Sequence, residues 1–250
     1  MAGPRQRIEQ QPAWVLHAQP WRETSLIVEL FSRDHGRVAV VAKGARRPAS
    51  QLRGLLMAFQ PLRVDWSGGG EVKTLVRAEW QGGQRLLAGR ALLCGFYLNE
   101  LVLRLTARED PHPGLYQSYC TAVGALGSGA AASPLLRRFE LALLRELGYE
   151  ASLHPEPGGA TIAAQDRYRY LVEQGLQRID DMGDRSPPNE DADGAQVVLS
   201  GQTLIDIAAD DFSRAETLAQ SRQLLRVLIH HTLGGKTLQS RRIFRELQEL

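Results

Sequence analysis

Residues 24–54 read TSLIVELFSRDHGRVAVVAKGARRPASQLRG. The run TSLIVELFS (24–32) is rich in β-branched and apolar residues, DHG (34–36) is a turn signal, and RVAVVA (37–42) is a second apolar run. Two such runs joined by a short turn predict a β-hairpin. Directly after it come Lys43, Arg46, Arg47 and Arg53 with no acid among them, spaced by Gly, Ala, Pro and Ser.

Outward from the hairpin the same pattern repeats. AWVLHAQ (13–19) is a candidate strand before it, and LRVDW (62–66), SGGGE (67–71) and VKTLVRAEW (72–80) give two more strands around a Gly-rich turn. Five short strands within about 70 residues predict a small barrel or sandwich. Trp66 and Trp80 fall in phase with apolar neighbours and are expected in its core. The basic segment lies between the third and fourth strands.

From about residue 85 the period becomes helical. Helices are expected over 85–107 (with a break near Gly89 or Gly95), 115–126, 133–148, 202–211, 215–233 and 238–250. In SPLLRRFELALLRELG (133–148) Ser133 is the expected N-cap, Pro134 suits the first turn, and Gly148 ends the helix in a left-handed cap. YRYLVEQ (168–174) is a candidate strand, and DDMGDRSPPNEDADG (180–194) an acidic loop. The fold class is therefore α+β: a small β-barrel or sandwich over 1–82, then a mostly helical domain over 83–250, with 149–200 as a small irregular or β insertion between packed helices.

Composition narrows the function. The 250 residues are 43% hydrophobic and 23% charged, with two cysteines. Cys94 and Cys120 make no disulfide framework, and the N-terminus has no apolar signal core, so a reducing cytoplasm is expected. No apolar run reaches the length of about 18 residues that a membrane span needs. The net charge of +2 is uneven. Residues 1–90 hold 14 Arg or Lys against 7 Asp or Glu, net +7, and the remainder is net −5. A basic first part points to a polyanion.

Several motifs dissolve on inspection. GGKT (234–237) resembles the end of a phosphate loop, but the position that needs the first glycine is His230, and a helix precedes it. His230 and His231 are neighbours on a helix and point about 100° apart, so they cannot chelate one ion well. No GxSxG is present, and Cys94 lies in an apolar helix as a buried thiol would. No metal, cofactor or catalytic constellation is expected, and no enzymatic turnover.

The cations fit a nucleic-acid surface instead. Arg22 and Arg33 lie near turns, Arg37 and Lys73 on strands flanking the segment that holds Lys43, Arg46, Arg47 and Arg53. Aromatics are interleaved among them. Cations that track phosphates beside rings that stack on bases are what a single-strand binder uses.

The segments AWVLHAQPWRETSLIVELFSRDHGRVAVVAKGARRP, GEVKTL, YLNEL, RRFELALLRELGY and LGGKTLQSRRIFREL resemble the RecO family of bacterial recombination mediators, in its proteobacterial form, almost end to end. The resemblance implies an N-terminal OB-fold and a helical domain. It implies binding of single- and double-stranded DNA, annealing of complementary strands, binding of the C-terminal tail of the single-stranded DNA-binding protein SSB, and help from RecR and in some routes RecF in loading RecA. Many family members carry a Cys-rich zinc module after the LGY helix; here that stretch, EASLHPEPGGATIAAQDRYRY, has no Cys, so no structural zinc is expected. The acidic SSB tail ends in an apolar residue with a free carboxylate. Arg137 and Arg138 are the candidates to hold it, Arg137 first; the alternative is that they form ion pairs with Glu140. A different class stays open: a single-strand or RNA-binding module whose helical half is an oligomerisation platform.

Overall fold

The computed structural model describes residues 7–149, 161–172, 174–179 and 196–248. The chain forms two compact units, Met1–Ala130 with Leu238–Leu250, and Ala131–Thr237. The second unit is thus inserted in the chain of the first.

The first unit begins with a closed five-stranded barrel. Its strands are β1 (Arg7–Trp21), β2 (Ser25–Ser32), β3 (Gly36–Ala42), β4 (Pro61–Ser67) and β5 (Val72–Trp80), in the order β1-β2-β3-β5-β4. This is the expected OB-type arrangement. Closure depends on β1. Its second half pairs antiparallel with β2 (Ala13 to Trp21) and its first half with β4 (Arg7 to Trp14). Register shifts between Ile8 and Gln11 and between Val15 and His17 let so long a strand bend around the barrel. At the first shift Gln10 has φ +55° and its N–H donates to Asp65 Oδ1 at 2.7 Å. β3 and β5 complete the ring through a short parallel pairing, Ala39–Val41 against Val72–Thr74. Val15, Val28, Leu30, Val38, Val40, Leu62, Val64 and Trp66 fill the interior.

Trp80 corrects the sequence reading. It is 55% exposed, whereas Trp66 is 3% exposed. The β4–β5 register shifts between Asp65 and Trp66, so strict alternation along β5 is broken. Lys73 and Leu75 are buried, Val72 and Val76 exposed, and Trp80 ends the strand outside the core.

The basic segment becomes turns followed by one helical turn, α1 (Leu52–Leu55). Residues 81–88 are irregular, so the next helix starts later than its apolar pattern, as α2 (Gly89–Leu105), followed by α3 (Pro113–Gly127). Between these two helices, residues 106–110 run beside β3. Arg37 and Arg108 form a parallel bridge, and Glu109 N–H donates to Arg37 O at 2.9 Å. Gly36 has φ +61°, and a Cβ there would sit 2.0 Å from Asp110 O, so only glycine permits this approach. The last helix, α7 (Gln239–Gln248), packs on α2. Glu100 of α2 caps it, accepting from Gln239 N–H, Ser240 N–H and the Ser240 hydroxyl at 2.6–2.8 Å.

The second unit holds α4 (Ala132–Glu146), the strands β6 (Arg167–Leu171), β7 (Gly175–Arg178) and β8 (Gln196–Ser200) in the order β7-β6-β8, then α5 (Gly201–Ala208) and α6 (Ala215–Thr232). α4 packs on α6, as expected for helices flanking an insertion. The N-cap of α4 is Ala131, not Ser133. Pro134 still falls in the first turn, where its missing N–H has no intrahelical acceptor. Gly148 takes φ +86° at the other end. The acidic stretch 180–194 and the segment 150–160 lie outside the described residues. No group of three or more His, Cys, Asp and Glu suited to a metal ion occurs among the described residues, and no helix among them is long and apolar enough to cross a membrane.

Candidate nucleic-acid interface

Two connections at one end of the β2–β3 hairpin build the site. The β1–β2 turn carries Trp21 and Arg22. Arg22 adopts φ +50°, and its guanidinium carbon lies 6.0 Å from the Trp21 ring. The segment after β3 is tied to this turn by Arg46. Arg46 N–H donates to Thr24 O at 2.8 Å, and its Nη1 reaches Arg22 O and Glu23 O at 3.3 and 3.2 Å. Ala45 is fully buried in the barrel core, so the segment is pinned at its middle. Gly44, at φ +69°, lies under the Arg47 side chain, where a Cβ would come 3.5 Å from Cδ.

Lys43, Arg46, Arg47 and Arg53 are all exposed. Lys43, Arg47 and Arg53 have no ion-pair partner among the described residues. Arg22, Lys43, Arg46, Arg47 and Arg53 therefore stand together as a solvent-facing set on turns whose backbone is fixed by the barrel. Such a set meets phosphates without reading bases.

The other three sequence candidates stand elsewhere. Arg33 is at the far end of the hairpin, one eight-residue strand away, a distance of roughly 25 Å. It forms a two-pronged pair with Asp34 at 2.9 and 3.0 Å, which holds the Asp34 carboxyl below its ordinary range. Arg37 spends its guanidinium on the 106–110 segment, donating to Thr106 O at 3.1 and 2.7 Å, with Glu29 at 3.6 Å. Burial lowers its pKa despite that carboxylate. Glu29 also pairs with Arg108. Lys73 is buried, its ammonium donating to Gly70 O and pairing with Glu109, both at 2.7 Å. Arg37 and Lys73 thus brace the barrel wall. The sequence could not separate them from the exposed set, because strand residues one position apart face opposite sides and the partners in the segment after α2 lie 69 residues from Arg37 and 36 from Lys73.

On α4, Arg137 is 9% exposed and donates through Nη2 to Glu140 Oε1 at 2.6 Å. This is the ion pair weighed as the alternative to ligand binding. Arg138 is exposed, donates to the Asp210 carboxylate at 2.8 Å and to the Asp210 backbone carbonyl at 3.0 Å, and lies 5.6 Å from the Phe212 ring.

Comparison with known proteins supplies the family. Residues 7–83 match the family described as Recombination protein O N terminal, and residues 87–242 match Recombination protein O C terminal. The chain belongs to the Recombination protein O family. A DNA repair protein RecO from Azoarcus sp. (strain BH72) is 63% identical over 247 residues, spanning 98% of this chain and 99% of the relative. Those from Dechloromonas aromatica (strain RCB) and Ralstonia nicotianae (strain ATCC BAA-1114 / GMI1000) are 50% and 49% identical, each spanning 98% of this chain and 99% and 86% of the relative. Membership of the Recombination protein O family places the chain in DNA repair by recombination, as a DNA-binding protein. The two Recombination protein O regions meet between residues 83 and 87.

Proposed function

We propose that the chain is a non-enzymatic recombination mediator of the cytoplasm. It binds single- and double-stranded DNA by their phosphates and anneals complementary strands. It engages the SSB tail and, with RecR and in some routes RecF, promotes RecA loading on SSB-coated strands. The observation that carries the DNA part is the solvent-facing set Arg22, Lys43, Arg46, Arg47 and Arg53 on a barrel whose core is complete without them. Exposed cations whose charge no carboxylate among the described residues neutralises can screen two repelling backbones, and base pairing then supplies the specificity.

The test is the salt dependence of binding. Arg46 also holds the turn, so Lys43, Arg47 and Arg53 are the residues to change. Replacing all three with Ala is expected to flatten the slope of log K against log salt by about 2 for a single strand, at roughly 0.7 per phosphate contact, and to slow annealing. An unchanged slope moves the DNA surface elsewhere.

For the SSB tail, Arg138 is the reachable guanidinium. Its exposed pair with Asp210 is weak, so a free carboxylate can displace it and gain two parallel hydrogen bonds beside the Phe212 ring. Arg138→Ala is expected to weaken binding of a labelled tail peptide by about 1.5–3 kcal/mol, the range for hydrogen bonds to charged groups. Unchanged peptide affinity removes Arg138 from the tail site.

A further inference from the structure

The barrel carries a second surface that the phosphate set does not use. Trp80, 55% exposed, ends β5, and its indole N–H donates to Gln60 Oε1 at 2.9 Å. The next residue back from Gln60 is Phe59, held at φ +66° and buried. Its ring meets that of Phe96, at 5.2 Å between centroids and 67° between planes. Phe96, on α2, is 46% exposed. The surface therefore presents two aromatic rings, each fixed by a neighbour and each open to solvent. Close approach makes this possible at Gly95, where a Cβ would fall 2.7–2.9 Å from Leu87 and Phe59.

What covers these rings is indicated by cations on the same elements: Arg63 stands opposite Glu79, next to Trp80, in the β4–β5 register, and Arg85 and Arg90 lie between Trp80 and Phe96 in the chain. Arg63 on β4, Arg85 in the connection after β5 and Arg90 in the first turn of α2 are exposed. None has an ion-pair partner among the described residues, and the nearby acid Glu79 is already paired with Arg77. An occupant must then supply flat apolar groups and negative charge together. The β3–β4 connection also runs without interruption from Lys43 through Arg53 to Met57, which is exposed, and Phe59. The connection that carries the proposed phosphate set thus also carries Phe59 and Gln60, the residues that hold the two rings.

We infer that Trp80 and Phe96 form a stacking platform for the unpaired bases of single-stranded DNA, with Arg63, Arg85 and Arg90 receiving the adjoining phosphates. The inference rests on the DNA-binding reading above and adds the part that tells a single strand from a duplex. Paired bases are already stacked on each other and cannot lie on the rings.

The experiment measures binding of three probes to the full chain: oligo(dT), an abasic oligomer of the same length, and a duplex. Stacking on one ring contributes enough that Trp80→Ala is expected to weaken oligo(dT) binding roughly tenfold, without changing the salt slope. Abasic and duplex binding should stay as in the parent. Trp80→Phe keeps a flat ring and loses the bond to Gln60, so it should retain most of the oligo(dT) affinity even if Trp80→Ala disturbs folding. In Trp21→Phe protein, where Trp80 is the indole left exposed among the described tryptophans, oligo(dT) should quench the intrinsic fluorescence and the abasic strand should not. Equal binding of abasic and oligo(dT) strands by the parent overturns the platform. So does full oligo(dT) affinity in Trp80→Ala, which would give the surface to a protein partner. If the Lys43, Arg47 and Arg53 variant still loses DNA in that case, the phosphate reading survives alone; if it too binds normally, both readings fall.

Discussion

A guanidinium that is nine-tenths buried needs a carboxylate, and Arg137 has Glu140 one helical turn on. Breaking such a pair leaves an uncompensated charge buried on a helix that also buries Phe139, Leu143 and Leu144. Glu140→Ala is expected to destabilise the fold by about 3–5 kcal/mol, read as a lowered urea midpoint. Replacing both residues with apolar ones of similar volume should recover most of that loss, because the cost lies in the orphaned charge and not in the missing attraction. A double variant no more stable than Glu140→Ala contradicts this. One position on, Arg138→Ala should cost within about 1 kcal/mol, as an exposed pair does. A weak tail-peptide response in an Arg137 variant must therefore be judged against its stability, whereas in an Arg138 variant it can be read directly.

Among the elements, α7 and the 106–110 segment depend on single anchoring residues. Glu100 satisfies two N–H groups and a hydroxyl at the start of α7 and also pairs with Arg104 at 2.9 Å. Glu100→Ala should cost about 1–2 kcal/mol, comparable to losing an N-cap. It should speed amide exchange over 239–248 while leaving the barrel strands protected; unchanged exchange there means the helix is held by packing alone. Gly36→Ala forces a Cβ against Asp110 O at positive φ and should destabilise by roughly 2–4 kcal/mol through strain and overpacking. The hairpin around Gly36 was legible in the sequence because both strands are apolar and the turn is polar. Trp80 was not, since it keeps the phase of the inward-facing pair, opposite Leu62, and alternation does not mark where the end of a strand leaves the core. The set from Lys43 to Arg53 was legible because neighbours in sequence stay neighbours in a short connection. The bracing roles of Arg37 and Lys73 were hidden because their partners come from the segment after α2.

For the whole molecule, burial sets an alkaline limit. Burial raises the pKa of Cys94 and Cys120 above the ordinary 9.0, and those of Tyr116 and Tyr119 above the ordinary 10.0. The unfolded chain gives up these protons at the ordinary values while the folded chain keeps them. Stability is thus full below about pH 8 and falls as pH rises through the ordinary values toward the raised ones. A urea midpoint as high at about pH 10 as at pH 7.5 would show that these groups ionise in place. Strand and helix periods change near residue 82, but compactness divides the chain otherwise, with α2, α3 and α7 in the same unit as the barrel. Periodicity marks where one kind of element gives way to another; it does not mark which elements share a core. The return of α7 to α2 has a consequence in time. At roughly 5–20 residues per second on the ribosome, the 107 residues from Ala131 to Thr237 take about 5–20 s to make. Through that interval Glu100 and the face of α2 wait for a helix that has not been synthesised, so a nascent chain exposes there a docking site that the finished protein conceals.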